Sequence, residues 1–221
     1  MPNFAGLAAK KSELIRKALG MSLFLTEDQT TASIITNLTD PATGALLPLP
    51  TGGGYVDCGW FTDEGLRFTR AVEQDEVTSA GSSTPTRTDI TSDTDTLQVD
   101  LQETNRMSIA LGTGAAKSGL VLTTGSKELK LDKPTTSAPR RYRGLALAVD
   151  GPPEAEIYFG EWFPRLAVTD YADRAFAKGA EYRIGVTFRG EVDSTLGTAK
   201  RSFWGGPGWQ NLLDEMGFPT T

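Results

Sequence analysis

At 221 residues, with 38% hydrophobic and 23% charged positions, the chain has the composition of a globular protein of one large or two small domains, not of a disordered one. A formal net charge of −6 argues against gripping nucleic acid through its phosphates, though not against surrounding DNA without binding it. The absence of histidine removes Ser-His-Asp and Cys-His catalysis and the commonest metal ligand, and the single cysteine, Cys58, allows neither an internal disulfide nor a Cys-rich zinc site.

Taken in order, the first residues place apolar side chains at Phe4, Leu7, Ala8, Ile15 and Leu19. With Ser12 as cap and Glu13 and Lys17 at i,i+4 spacing, they predict a short amphipathic helix closed by Gly20. Charges interrupt this stretch, and no run approaches the roughly 20 apolar residues of a membrane span, so a soluble chain made in the cytoplasm is expected. Strand-like pieces follow at Leu23–Leu25 and near Ser33–Leu38, and "DPATGALLPLPTGGG" (Asp40–Gly54) is too rich in Pro and Gly for a regular element. Residues 1–54 therefore read as an arm lying along a body or a neighbour, and residues 55–221 as the body.

From Tyr55 the pattern turns to strands. Leu66, Phe68, Arg70 and Val72 alternate with Arg67, Thr69 and Ala71, and Leu97, Val99 and Leu101 alternate with Gln98, Asp100 and Gln102. A period of two with one polar face marks strands half exposed on a sheet. Between them "AGSSTPTRTDITSDTDT" (residues 80–96) has Ile90 as its one large apolar residue and reads as a long polar loop. "ETNRMSIALGTG" puts Met107, Ala110 and Leu111 on one helical face with Gly112 as a stop. Strand patterns return in "KELKLDK", "YRGLALAV", "AEIYFGEWFPRLAVTD" and "EYRIGVTFRGEV", and a tail over residues 205–221 holds a Pro/Gly turn and a short helix from Trp209 to Met216 stopped by Gly217. Many strands and one internal helix make a mainly β fold, a sandwich or small barrel.

Motifs of chemical meaning fail on spacing. In "GTGAAKSG" (Gly112–Gly119) Lys117 and Ser118 precede the glycine they should follow in a phosphate loop, so a helix stop and turn is the better reading. Asp89, Asp93 and Asp95 suggest calcium, but an EF-hand register from Asp93 places Leu97, Gln98 and Thr104 where a ligand, a glycine and a glutamate are needed. Glu154, Glu156 and Glu161 are the carboxylates a glycosidase would use, a pairing any β protein offers by chance. "RRYR" (Arg140–Arg143) is a dense basic run expected to meet a neighbour's carboxylates or solvent.

Four pieces in order, "YVDCGWFTDEGLRFTRAVEQDEVTS", "TPTRTDITSDTDTLQVDLQETN", "WFPRLAVTD" and "GPGWQNLLDEMGF", resemble the major tail proteins of long-tailed, siphovirus-like phages, particularly of actinobacterial hosts. The resemblance covers residues 55–217. It implies a β-sandwich/barrel with a flanking helix, like the type VI secretion tube, and a non-enzymatic virion protein without cofactor or metal. It further implies hexameric rings that are assembled in the host cytoplasm and stack into a tube for passing double-stranded DNA. The implied partners are further copies and the tape measure, distal tail and terminator proteins, with no membrane involved. On this reading the polar loop touches the next ring through Ser82, Thr84, Arg87, Asp89, Asp93 and Asp95, and Trp204 and Trp209 lie at subunit interfaces. The alternative is a carbohydrate-binding β-sandwich using Trp60, Trp162, Trp204 and Trp209 as its platform.

Overall fold

The computed structural model describes residue 8 and residues 10–122, 125–133, 135 and 139–219. Phe4 and Leu7 of the expected first helix lie outside the described residues. Within them that helix reduces to one 3-10 turn, Ser12–Leu14, whose Lys11 cap position makes no side-chain bond.

Eight strands form one antiparallel sheet: β1 (Gly20–Thr26), β2 (Val56–Asp57), β3 (Arg67–Val77), β4 (Arg87–Leu101), β5 (Arg141–Asp150), β6 (Ile157–Tyr171), β7 (Ile184–Gly190) and β8 (Arg201–Gly205). Their order is β2-β1-β5-β6-β7-β4-β3, with β8 paired to β6. β6 serves two partners along one edge: Tyr158–Trp162 pair with β8, and Leu166–Tyr171 with β7. Pro164, which has no N–H to give a ladder, stands between the two stretches.

The sheet curls until its ends meet. After β2 pairs with β1, the same chain reaches β4 through a bridge between Phe61 and Leu101 and a bond from the Thr62 amide to the Asp100 carbonyl (3.0 Å). The enclosed core accordingly joins strands distant in sheet order, with Leu23 and Leu25 of β1, Leu97 and Val99 of β4, and Phe163 and Phe188 in one cluster. Each such leucine contributes about 1.5–3 kcal/mol by leaving water. The predicted helix is present as α1 (Arg106–Thr113), with Met107, Ala110 and Leu111 buried as its pattern requires. Asn105 caps it, its Oδ1 accepting from the Met107 and Ser108 amides at 2.9 Å each. Gly112, expected as the stop, lies inside the helix, and Gly114, at φ 70°, ends it two residues later in the left-handed conformation.

The other face of β1, β5, β6 and β8 carries a second core of Ile35, Leu38, Leu145 and Trp162. The Trp162 indole donates to the Tyr55 hydroxyl (2.9 Å), which donates to the Ser33 carbonyl (2.8 Å). Burial pushes the Tyr55 phenol up to about 12, so it remains a neutral hydrogen-bonding group.

The stretch expected to be an arm is therefore part of the body from Gly20 onward: β1 lies between β2 and β5, and residues 28–55 cover the second core. Ser33–Leu38, expected as a strand, runs on from a 3-10 turn over Thr31–Ser33 as irregular chain. Lys127–Lys133, expected as a strand, forms no ladder. Arg201–Gly205, not expected, forms β8. The C-terminal helix is broken into α2 (Pro207–Gln210) and α3 (Leu213–Met216), with Leu212 between them at φ −110°, ψ 0°.

Candidate subunit interface

β3 and β4 pair from Arg67↔Gln98 to Val77↔Arg87, whereas β7 covers β4 only from Thr96 to Leu101. Beyond that point the two strands have no other strand beside them, and they leave the body as a two-stranded ribbon. This corrects the expected polar loop: its second half, Arg87–Thr96, is strand, and the turn itself spans residues 78–86. The reason is compositional. Threonine is β-branched and favours extended backbone, but with no apolar face to bury the stretch shows no hydrophobic alternation.

The outer ribbon is exposed along its length, while Leu97, Val99 and Leu101 of the same β4 are 0% exposed. A bulge at Glu73/Gln74, which leaves Thr91 without an opposite residue, sharpens its twist. In the turn, the Thr86 amide donates to the Val77 carbonyl (2.8 Å) and the Ser82 hydroxyl to the Thr84 carbonyl (2.7 Å).

The expected contact residues divide by height along the ribbon. Ser82 and Thr84 sit in the turn, and Arg87 and Asp89 form an exposed pair (2.7 Å) just below it. Asp93 receives both Nε (2.8 Å) and Nη2 (2.5 Å) of Arg70, and those bonds hold its carboxyl below the ordinary value. Asp95 lies at the root, bonded to Lys200 (2.6 Å). Five of the six thus stand on the projecting part, and Asp95 belongs to the anchor.

Of the two tryptophans expected at interfaces, Trp204 of β8 is exposed and borders an apolar groove of about 200 Å³ with Met21, Phe68, Ala148 and Phe159. Trp209 is half-buried, its ring 5.9 Å from that of Phe218. Trp162 is buried in the second core, so it is no part of any exposed sugar platform.

Two arginines of the basic run "RRYR", Arg141 and Arg143, are spent within the chain, while Arg140 stays exposed. Arg141 pairs with Glu191 (2.8 Å). Arg143, at the β5 bulge and 1% exposed, donates to the Pro164 carbonyl (3.0 Å), the Thr30 carbonyl (2.7 Å), the Ser33 hydroxyl (2.6 Å) and Asp193 (3.0 Å). This hub could not be read from the sequence because its acceptors come from three separate stretches, Thr30–Ser33, Pro164 and Asp193. The one signal was an arginine amid strand residues.

Chemistry finds little footing. Burial drives the Cys58 thiol far above its ordinary value, and Glu161 accepts from the Ser202 hydroxyl (2.6 Å). Among the described residues no three His, Cys, Asp or Glu side chains gather as a metal site requires, and no helix is long and apolar enough to cross a membrane.

Comparison with known proteins agrees with a structural role. No curated protein matches the chain. The family described as phage tail tube protein matches residues 9–196, most of the body and all of the ribbon. That is a structural family and not a family of enzymes. The chain belongs to the phage tail tube protein family and is a component of the virion.

Proposed function

We propose that copies of this chain close into hexameric rings, that the rings stack into the tail tube through which DNA leaves the virion, and that the β3–β4 ribbon carries the contact between rings. The observation behind this reading is the ribbon itself. A tail tube protein assembles as a homo-oligomer, and residues 69–95 extend from the body without adding a residue to either core. A heterologous contact that closes gives a ring, and one that does not gives an open stack, so one chain needs two different surfaces. The ribbon with Ser82, Thr84, Arg87, Asp89 and Asp93 serves the stack. The groove beside Trp204, with the tail that Trp209 anchors, serves the ring. The acidic balance of the chain suits a conduit, because like charge keeps a passing duplex from adhering within a Debye length of about 8 Å.

The test shortens the ribbon on both strands together. Replacing Val72–Asp93 by Asn-Gly joins Ala71 to Thr94, which face each other across the ladder, through a two-residue hairpin turn. The expected product is folded by circular dichroism and forms no tubes in negative-stain electron microscopy. Tubes of normal length from this variant would overturn the stacking role. A dispersed monomer that binds glycans would favour the carbohydrate-binding alternative.

A further inference from the structure

The outer ribbon carries Glu73, Asp75, Glu76, Asp89 and Asp93 against Arg70 and Arg87. Arg70 is taken up by Asp93, and Arg87 by Asp89. Asp75 and Asp89 stand directly opposite each other in the ladder, a like-charge pair that destabilises an isolated hairpin. Val77 and Ile90 are exposed beside them. The tip is thus acidic, partly apolar and under-compensated within its own chain.

The opposite balance occurs between α1 and β5, where the sequence holds Lys117, Lys127, Lys130, Lys133 and Arg140 with Glu128 and Asp132 as the carboxylates, Glu128 pairing with Lys130 (3.5 Å). Lys127–Lys133 within it alternates as a strand does, yet it is exposed throughout and joins no ladder. Among the described residues, none of its backbone groups bonds to another backbone group. Leu129 and Leu131 remain exposed. A β-patterned segment without a strand partner and a ribbon with free edges, of opposite charge, are complementary surfaces on one chain that do not meet within it.

We propose that Lys127–Lys133 of one copy receives the β3–β4 ribbon of a second copy. Lys127 and Lys133 face Glu73 and Asp75, Leu129 and Leu131 lie against Val77 on that same face, Lys130 faces Glu76 on the other, and the backbone pairs with the ribbon's free edge. The proposal rests on the stacking role given above and names the surface that accepts the ribbon. The partner is a second copy because the tube is homo-oligomeric. An edge strand in solution is a template for pairing, and opposite charge selects which segment it accepts.

Charge reversal tests the pairing in the full chain. Glu73→Lys with Glu76→Lys, and separately Lys127→Glu with Lys130→Glu, are each expected to abolish sedimentable tubes at physiological ionic strength. All four substitutions together are expected to restore them. Leu131→Pro, which removes an N–H that bonds to no backbone group among the described residues, is expected to block tubes while the thermal midpoint stays unchanged. Normal tubes from the Lys127/Lys130 reversal or from Leu131→Pro overturn this proposal and leave the stacking role standing. Loss in both reversals without rescue overturns the facing of these charges. Normal tubes from the shortened ribbon overturn both readings together.

Discussion

The two halves of β4 belong to one continuous strand and have opposite fates. From Leu97 to Leu101 every second side chain is shut into the barrel, flanked by β7 on one side and, on the other, by β3 as far as Gln98 and then by the Phe61–Thr62 stretch. From Arg87 to Asp93 the same strand has one neighbour and no core. The transition is marked by the pair between Asp95 and Lys200, which ties the ribbon's root to the chain just before β8. The difference teaches that residues which support the fold and residues which do not can share one strand, and on the proposed stacking role assembly belongs to the latter. The inner half supports the fold, and the outer half can be read as surface whose partner lies outside the chain.

The largest effect that sharpens this division lies far from the ribbon. Arg143→Met leaves Asp193 and the Ser33 hydroxyl without their partner inside the body, and breaking a buried charged pair costs about 3–5 kcal/mol. Against a total stability of roughly 5–15 kcal/mol, urea denaturation should show a severely destabilised or unfolded chain. An unchanged midpoint would mean that the hub is replaceable. Next in size is a matched pair on β4 itself. Leu97→Ala opens a cavity where nothing is exposed and should cost about 2–5 kcal/mol. Ile90→Ala, on the exposed half, should stay within about 0.5 kcal/mol yet lower the yield of tubes. Equal losses of stability from the two would erase the comparison.

How much of this was legible in the sequence follows the same line. Leu97, Val99 and Leu101 announced their strand because burial on one side imposes alternation, and Met107, Ala110 and Leu111 announced α1 for the same reason. The outer half of β4 buries nothing, so its Thr and Asp residues read as a loop although the ladder continues through them. Lys127–Lys133 shows the reverse error: alternation is present, but a ladder needs a partner, and none of the described residues pairs with it. β1 was visible as a strand piece at Leu23–Leu25, but its place inside the sheet depends on pairing with β5 more than a hundred residues later. The projecting residues Ser82, Thr84, Arg87, Asp89 and Asp93 were found as a polar stretch, and only the ladder separates them from the anchoring Asp95.

The smallest expected effect is a dependence on pH centred on a carboxyl of the body, Asp193. Burial pushes the Asp193 carboxyl up, but the Thr195 and Leu196 amides and the Arg143 guanidinium together outweigh it and hold the group below its ordinary value. A carboxyl depressed in the folded state adds stability above its unfolded value, about 3.9, and loses that contribution as pH falls through the lower folded value. Urea midpoints should therefore be level from neutral pH down to about 5 and then decline into acid. In Asp193→Asn the starting midpoint is lower, because Arg143 has lost its counter-charge, and the acid decline is shallower. The same slope in both proteins would assign the acid sensitivity to other carboxylates, Glu191 between Arg141 and Arg165 foremost. Shortening the ribbon removes Asp93, which Arg70 also holds low at the exposed surface, but should leave the Asp193 part of the slope, since Asp193 meets Arg143 and the neighbouring amides of its own loop, far in sequence from β3 and β4.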